Sequence, residues 1–190
     1  MPNYSKDWFS NHKDNWRTIL KPYKQEKFEY LEIGCYEGMS VLFMLENYKK
    51  SKISVIDTFG QTAEYKLLNV CDENYYETFR SNIKGYEDRV SVYMGYSLDV
   101  LVDLLQNHTK TYDVIYVDGS HSARGTLQDM VLSWELLKAD GILIIDDYEW
   151  DVNVGTIMHP KNGVDGFMKA YKGYFEVLHK GYQVILRKVS

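Results

Sequence analysis

The sequence predicts an α/β fold: a mostly parallel sheet of seven strands, with helices on both faces and an antiparallel hairpin after the parallel part. Three observations support this fold class. Five short apolar runs alternate with segments of helical periodicity, and parallel neighbours need such helical crossovers. The last two β-like runs are joined by only a short turn, which is typical of a hairpin. Several of the apolar runs end in aspartate, where open α/β sheets carry their chemistry.

The individual elements follow from local patterns in chain order. Residues 4–20 place aromatic and aliphatic side chains among charges, which predicts an amphipathic helix or a pair of turns that stops at Pro22. The predicted parallel strands are residues 28–33, 52–56, 90–94, 112–117 and 141–145, and the hairpin strands are residues 174–178 and 183–188. The predicted helices, each with apolar residues at helical spacing, are residues 39–48, 73–83, 98–105 and 125–137.

The chain is predicted to form one domain over residues 1–190. Its length suits a single core, and no repeat, low-complexity tract or Pro/Gly/Ser-rich linker marks a boundary. We expect residues 1–22 to form a helical cover and residues 148–166 to form a loop on the substrate side. Trp8 and Trp16 either cover the same cleft or fill the core.

Charge and cysteine content limit the class of partner and the compartment. The formal net charge is -5, which argues against a nucleic-acid partner because such binding depends on many Lys and Arg residues. No apolar run approaches the ~20 residues that span a bilayer, so no membrane partner is expected. The two cysteines, Cys35 and Cys71, form no C-x-x-C pair, and the polar first residues contain no secretory apolar segment. These features predict a cytoplasmic location, and a homo-oligomer is left open.

A glycine-bearing loop follows the first predicted strand. Residues 32–40 read Glu-Ile-Gly-Cys-Tyr-Glu-Gly-Met-Ser, so Gly34 and Gly38 flank the turn from strand to helix. Glycine lets the backbone approach a ligand closely, and the free N–H groups of a helix start can hold a carboxylate. The same pattern also suits a plain strand-to-helix turn. Tyr36 at the middle position disfavours a dinucleotide, for which glycine is usual there.

The second and third strands also end in polar residues. Asp57, followed by Thr58, lies about 20 residues beyond the glycine loop, where an acid can accept hydrogen bonds from both hydroxyls of a ribose. It can equally be an ordinary turn aspartate. Gly95, Tyr96 and Ser97 follow the third strand, and Ser97 can serve as the N-cap of the next helix.

Three carboxylates and a histidine are expected to meet at the ends of the fourth and fifth strands. Asp118 closes the fourth strand, and Asp146 and Asp147 close the fifth. Neighbouring carboxylates repel one another unless a cation neutralises them, and hard oxygen ligands favour Mg²⁺. His121 lies three residues after Asp118, and a neutral imidazole is a competent general base near pH 7. Asp118 can instead be a metal-free strand-end acid, and Asp147 can cap a turn. The other four histidines lie in polar or loop segments and are expected to be solvated.

The glycine loop resembles the first motif of class I S-adenosylmethionine-dependent methyltransferases of the small-molecule O-methyltransferase type, similar to catechol O-methyltransferase. Glu32, Gly34, Tyr36, Gly38 and Ser40 match that motif. The resemblance implies a Rossmann-like methyltransferase fold and a pocket for the methionine part of S-adenosylmethionine, with Ser40 near its carboxylate.

The resemblance extends to the later strand ends. It implies that Gly95, Tyr96 and Ser97 hold the adenine ring, that Asp57 and Thr58 lie beside the ribose, and that Asp118 borders the cofactor. It also implies that Asp118, Asp146 and Asp147 bind the metal. Catechol-type enzymes carry lysine at the position of His121 and usually asparagine at that of Asp147, so the match is incomplete.

The Asp-x-x-His pattern followed by paired aspartates resembles the sugar O-methyltransferases that act on macrolide antibiotics, of the macrocin and mycinamicin type. That resemblance implies His121 as base and a small-molecule acceptor such as a sugar or nucleotide sugar. Tyr148 and Trp150 directly follow the paired aspartates and are expected to contact this acceptor.

The sequence therefore predicts an S-adenosylmethionine-dependent O-methyltransferase that uses Mg²⁺. Two alternatives remain at this point. One is a metal-independent methyltransferase acting on nitrogen, RNA or protein, and the other is a module that binds S-adenosylmethionine without catalysis.

Overall fold

The computed structural model describes residues 2–60, 75–107, 110–150 and 159–189. Within these ranges seven strands form one sheet: β1 (Glu29–Ile33), β2 (Lys52–Asp57), β3 (Val90–Met94), β4 (Tyr112–Val117), β5 (Leu137–Ile145), β6 (Phe175–Lys180) and β7 (Val184–Lys188). The α-helices among them are α1 (Lys13–Ile19), α2 (Met39–Asn47), α3 (Tyr75–Asn82), α4 (Ser97–Gln106), α5 (Ala123–Leu136) and α6 (Pro160–Ala170). Short 3-10 helices, Ser10–His12 and Lys21–Gln25, flank α1.

The strand order is β3-β2-β1-β4-β5-β7-β6, which confirms the predicted sheet. Strands β1 to β5 run parallel to one another, whereas β7 runs antiparallel to both β5 and β6. The strand order reverses direction between β1 and β4, and their carboxyl ends form a crevice where ligands of such sheets bind. The predicted strand-end residues Asp57, Asp118 and the pair Asp146 and Asp147 therefore lie at this one edge of the sheet.

Side chains that alternate along each strand form one apolar core on each face of the sheet. On β4, Val114 and Tyr116 face one apolar cluster, and Ile115 and Val117 face the other. The alternation of side chains along a strand produces this division, and burial on both faces explains why the central strand β4 is mostly apolar. Helices α2 and α3 and the N-terminal segment cover the first cluster, and α4, α5 and α6 cover the second.

The structure differs from the prediction in two elements of the fold. Residues 160–166 were expected to lie in the substrate-side loop, but they begin α6, with Pro160 at its first turn. Proline is tolerated at this position because the N–H groups of the first turn have no acceptor within the helix, so the missing N–H of proline costs no hydrogen bond. Strand β5 also begins at Leu137 rather than at 141, because Leu137 pairs with Tyr112 before a bulge restores the register at Ile142. Residues 151–158 of the expected loop, and Cys71, lie outside the described residues.

No helix among the described residues is long and apolar enough to cross a membrane. The N-terminal segment contains α1 and the two 3-10 helices that flank it, and its two tryptophans lie in different surroundings. Trp16 is fully buried in the first core cluster, whereas Trp8 is exposed and lies against the ring of Tyr36 at 5.2 Å between centroids.

Candidate active site

The loop after β1 approaches the loop after β4 so closely that Gly34 has no room for a side chain. A Cβ atom on Gly34 would lie 2.1 Å from the carbonyl oxygen of Asp118, and the residue has φ of 83°. Gly38 also has a positive φ, 79°, and forms the N-cap of α2. Both glycines are therefore required by backbone geometry, which explains the motif independently of any ligand.

Asp57 organises the glycine loop from the end of β2. Its Oδ2 accepts hydrogen bonds from the backbone N–H groups of Cys35 and Tyr36 at 2.8 and 2.9 Å, and its Oδ1 accepts one from Phe59 at 2.8 Å. Burial raises the pKa of Asp57, and these three donors act in the opposite direction. The carboxylate thus fixes the backbone around the crevice as well as lining it.

A cavity of about 230 Å³ opens at the carboxyl ends of β1, β2 and β3. Of the residues predicted to hold a cofactor it brings together Gly34, Asp57, Thr58, Gly95, Tyr96 and Ser97. Ile33, Ile56, Gly119 and Ser120 also line it and were not singled out from the sequence. His121 closes one end. The N-cap of α4 is Tyr96, so Ser97 is the first helical residue and not the cap.

A second, smaller cavity of about 50 Å³ lies on the other side of the glycine loop. Tyr36, Ser40 and Asp118 line it together with Trp8 and Lys6 of the N-terminal segment. The Ser40 hydroxyl donates a hydrogen bond to the buried carboxyl of Glu32, whose second oxygen accepts one from Tyr30 at 2.6 Å. Glu32 therefore lies beneath the loop and lines neither cavity, whereas Ser40 reaches the edge of the second one.

Asp118, His121 and Asp147 form a cluster in which one ligand atom of each lies within 4.8 Å of the others. The His121 Nε2 atom is 3.0 Å from Asp147 Oδ2, and Asp147 adopts a left-handed backbone with φ of 59°. The Tyr182 hydroxyl donates to Asp147 Oδ1 at 2.8 Å. Trp150, predicted to contact the acceptor, lies with its ring centroid 4.7 Å from that of His121.

Asp146 points inward, behind this cluster. Its Oδ2 accepts a hydrogen bond from the Tyr116 hydroxyl and another from Gln183 Nε2 at 3.0 Å. The predicted set of Asp118, Asp146 and Asp147 is thus replaced, among the described residues, by a compact set that contains His121 in place of Asp146. Tyr148 also points away, since its side chain is buried in the second core cluster and its hydroxyl donates to Asp165 at 2.9 Å.

The chemistry of the cluster fits a divalent cation. Burial raises the pKa of Asp118 well above its usual range, and the charges of Asp146 and Asp147 raise it further. The single hydroxyl hydrogen of Tyr116 faces both Asp118, at 3.0 Å, and Asp146, so it can satisfy only one of the two carboxylates. Two carboxylates and an imidazole within reach of one another are ligands that a divalent metal accepts.

Four residues near the cluster were missed by sequence reasoning, and they come from distant parts of the chain. They are Tyr116, Tyr182, Gln183 and His12. His12 was expected to be solvated, but it is partly buried, with its ring stacked on Tyr182 at 5.8 Å between centroids. The sequence offered a usable signal only for Tyr116, which shares the face of Asp118 because it lies two residues earlier on β4.

Residues 31–148 match the family described as Methyltransferase domain, which covers more than half of the chain. The chain belongs to this methyltransferase family. The match spans the glycine loop, the strand-end acids and both aspartates of the pair, whereas Trp150, Tyr182 and Gln183 lie beyond it.

Two curated proteins are similar in sequence to this methyltransferase. The O-methyltransferase hkm8 of Aspergillus hancockii is 30% identical over 117 residues, which cover 62% of this chain and 41% of the relative. An uncharacterized protein of Acanthamoeba polyphaga mimivirus is 24% identical over 133 residues, which cover 70% of this chain and 57% of the relative. The methyltransferase thus spans about half the length of the curated relatives it matches.

Solved structures share the fold of this methyltransferase. The MycE methyltransferase of the mycinamycin biosynthetic pathway, in complex with Mg, SAH and mycinamycin VI, has a TM-score of 0.68 at 14% identity and aligns over 97% of this chain and 51% of its own. An O-methyltransferase from Bacillus cereus in complex with SAH has a TM-score of 0.68 at 17% identity, over 98% of this chain and 84% of its own. These similarities confirm the class I methyltransferase architecture.

The buried Glu32 makes the stability of the methyltransferase depend on pH. Burial raises the pKa of Glu32 from its usual 4.5 to about 8, against the lowering effect of its two hydrogen bonds. Because the raised pKa belongs to the folded state, the stability from this group is full below pH 4.5 and is lost as the pH rises through about 8. We expect Glu32→Gln to flatten the fall in unfolding free energy across this window, as measured by urea unfolding at several pH values.

Glu77→Gln is the matched control, because Glu77 is exposed on α3. It should leave the pH dependence of the wild type intact. A Glu32→Gln protein whose unfolding free energy falls as steeply as that of the wild type would contradict the assignment of this pH dependence to Glu32.

Proposed function

We propose that this methyltransferase transfers a methyl group from S-adenosylmethionine to a hydroxyl of a small molecule, with the help of a divalent metal, in the first instance Mg²⁺. One observation carries the proposal: His121 belongs both to the lining of the larger cavity and to the cluster with Asp118 and Asp147. A methyl donor in that cavity and a hydroxyl at that cluster would therefore meet at one side chain.

The larger cavity is assigned to the adenosine part of the cofactor. Its lining combines Asp57, suited to ribose hydroxyls, with the residues 95–97 that follow β3. The second cavity, beyond the Gly34 loop, is assigned to the methionine part. The SAH named for the MycE and Bacillus cereus structures supports this assignment. S-adenosylmethionine supplies an electrophilic methyl group on a positively charged sulfur.

Asp118 and Asp147 are assigned as metal ligands, whereas Asp146, also expected to bind the metal, is assigned a supporting position behind Asp118, where it accepts hydrogen bonds from Tyr116 and Gln183. The Mg named for the MycE complex supports a metal at such a cluster. A divalent metal, when bound, makes an acceptor hydroxyl easier to deprotonate and fixes its position.

His121 is proposed as the general base. Asp147 Oδ2 lies 3.0 Å from Nε2, where the carboxylate would orient the ring and stabilise the imidazolium that forms when the base takes a proton. Holding the acceptor oxygen and the methyl carbon about 3 Å apart, in line for attack, also lowers the barrier to methyl transfer. Asp118 contributes as a ligand of the metal that would position the acceptor hydroxyl.

The acceptor is proposed to be a sugar or another small hydroxylated molecule, including a nucleotide sugar. Trp150 beside His121 supports this, because an indole face packs well on a sugar ring, and the mycinamycin VI of the MycE complex is in keeping with it. Tyr148, also predicted as an acceptor contact, has its side chain buried in the core and its backbone N–H bonded to the Tyr182 carbonyl, so the proposed contact is assigned to Trp150. A cytoplasmic location and a homo-oligomer also remain predictions.

An acceptor screen tests the proposed reaction. The protein is incubated with S-adenosylmethionine and panels of nucleotide sugars, glycans and catechols, and mass spectrometry reads out one added methyl group. Methylation of an oxygen on a sugar is the expected result. Binding of SAH without turnover on any hydroxyl compound would contradict the proposal and favour a non-catalytic binding module.

Metal removal should abolish turnover on the acceptor so identified. We expect EDTA to reduce the rate to background and added Mg²⁺ to restore it, because the cluster loses the charge that offsets its carboxylates. SAH affinity, measured by calorimetry in the same buffers, should change little and serves as the control. Full activity in EDTA would refute the metal and favour a metal-independent methyltransferase.

A further inference from the structure

A buried chain of hydrogen bonds runs from the N-terminal helix to the carboxylate cluster. Trp16 Nε1 on α1 donates to Gln183 Oε1 at 2.9 Å, and Gln183 Nε2 donates to Asp146 Oδ2 at 3.0 Å. Trp16 and Gln183 are 0% and 1% exposed, so water does not compete for either bond. The chain continues through the Tyr116 hydroxyl, which contacts both Asp146 and Asp118.

The orientation of the Gln183 amide follows from the chemistry of its partners. An indole N–H can only donate a hydrogen bond, so it requires the amide oxygen on its side. The amide NH₂ group must then face Asp146, which as a carboxylate can only accept. Trp16 thus determines which end of Gln183 meets the site, and rotation of the amide would leave two buried polar groups without suitable partners.

Two consecutive residues of the hairpin contact the two consecutive aspartates. The Tyr182 hydroxyl donates to Asp147, and the adjacent Gln183 donates to Asp146. The backbone adds to this contact, since Tyr148 N–H donates to the Tyr182 carbonyl at 2.8 Å. The paired aspartates are therefore held from the side of β7, opposite to the side on which His121 lies against Asp147.

We infer that Gln183, oriented by Trp16, is a positioning residue for the proposed metal site. Its hydrogen bond satisfies the Asp146 carboxylate, which leaves the single hydroxyl hydrogen of Tyr116 available to the carboxylate of Asp118. Gln183 itself lines neither cavity and is not one of the three clustered ligands. The inference rests on the proposed function, because it presumes that the cluster binds a divalent metal.

The test compares Mn²⁺ binding with SAH binding in purified full-length variants. Gln183→Met removes the donor to Asp146 at similar volume, and Trp16→Phe removes the donor that orients the amide. Mn²⁺ binding is titrated by electron paramagnetic resonance, and SAH binding by calorimetry. We expect both variants to raise the dissociation constant for Mn²⁺ by about 10- to 100-fold, as outer partners of metal ligands do, with the SAH dissociation constant little changed.

Trp134→Phe is the matched control. Trp134 is also a buried tryptophan, but it lies in the core cluster on the opposite face of the sheet, against Phe167 and Tyr171. Its substitution should leave Mn²⁺ binding unchanged. If Trp16→Phe does not fold, Gln183→Met alone carries the test.

The outcomes separate the inference from the proposed function. A wild-type protein that binds no Mn²⁺ would overturn the metal part of the proposed function and this inference with it. Wild-type binding that persists unchanged in Gln183→Met would overturn the inference alone. Equal weakening of Mn²⁺ and SAH binding would overturn it as well, because it would indicate a general structural role for Gln183.

Discussion

Replacing His121 by alanine should lower kcat by about 100- to 10,000-fold, the range over which a positioned acid or base contributes. The imidazole belongs to both the cavity lining and the cluster and lies against Asp147, so its loss removes the proposed base while both clustered carboxylates remain. The measurement is steady-state turnover on the acceptor that the screen identifies. Because most of the cavity lining is untouched, SAH affinity should remain close to that of the wild type.

The His121 variant also distinguishes a base from a metal ligand. If the imidazole acts only as a base, the dissociation constant for Mn²⁺ should be unaffected, whereas loss of a ligand would weaken Mn²⁺ binding. His179→Ala on β6 is the control, since His179 lines neither cavity. Turnover by His121→Ala at the wild-type rate would refute the proposed base.

Gly34→Ala is expected to be the most damaging single-methyl change at the site. The added Cβ would lie 2.1 Å from the Asp118 carbonyl oxygen, a distance that backbone atoms can relieve only by moving the two loops apart. The left-handed conformation adds a further cost for any residue with a Cβ. We expect a loss of about 2–5 kcal/mol in unfolding free energy, measured by urea unfolding, together with loss of SAH binding.

Two other glycines separate the cost of the steric clash from the cost of the left-handed backbone conformation. Gly85 also has a positive φ, 92°, but nothing lies within 4 Å of its would-be Cβ, so Gly85→Ala should cost only the backbone term of about 1–2 kcal/mol. Gly166 in α6 has open space and no such φ, so Gly166→Ala should be neutral or stabilising. A Gly34→Ala protein no less stable than Gly85→Ala would show that the loops do not meet as described.

The parallel sheet could be predicted because its signals are local. Each buried strand is a short apolar run, and each is separated from the next by a helical pattern. Helix α6 was missed although Val164, Phe167 and Met168 recur at helical spacing, because its proline and two glycines lower the helix propensity of the segment. It is stabilised by packing: Gly163 lies so close to α5 that a Cβ would be 2.2 Å from the Ala123 carbonyl oxygen. Tertiary contact therefore overrides propensity in this helix.

In the site, too, some features follow from nearby sequence and others depend on residues far away in the chain. Asp118, His121 and Asp147 could be predicted because strand-end residues of neighbouring parallel strands converge. The inward orientation of Asp146 could not, because it depends on Gln183 and Tyr116, and Gln183 is in turn fixed by Trp16 at a separation of 167 residues. Nothing in the sequence near Gln183 distinguishes it from any other polar residue of a hairpin turn.

The position of β7 in the sheet determines when β6 can pair during synthesis. β7 lies between β5 and β6 in the sheet although it follows β6 in the chain. While the ribosome is still making the protein, β6 has no strand to pair with until residues 184–188 have emerged. Gln183 immediately precedes that strand. Until it has emerged, the parallel strands are already made but Asp146 lacks its hydrogen bond from Gln183. A chain that stopped before residue 183 would therefore carry the family's motifs but lack both the strand that joins β5 to β6 and the hydrogen bond from Gln183 to Asp146.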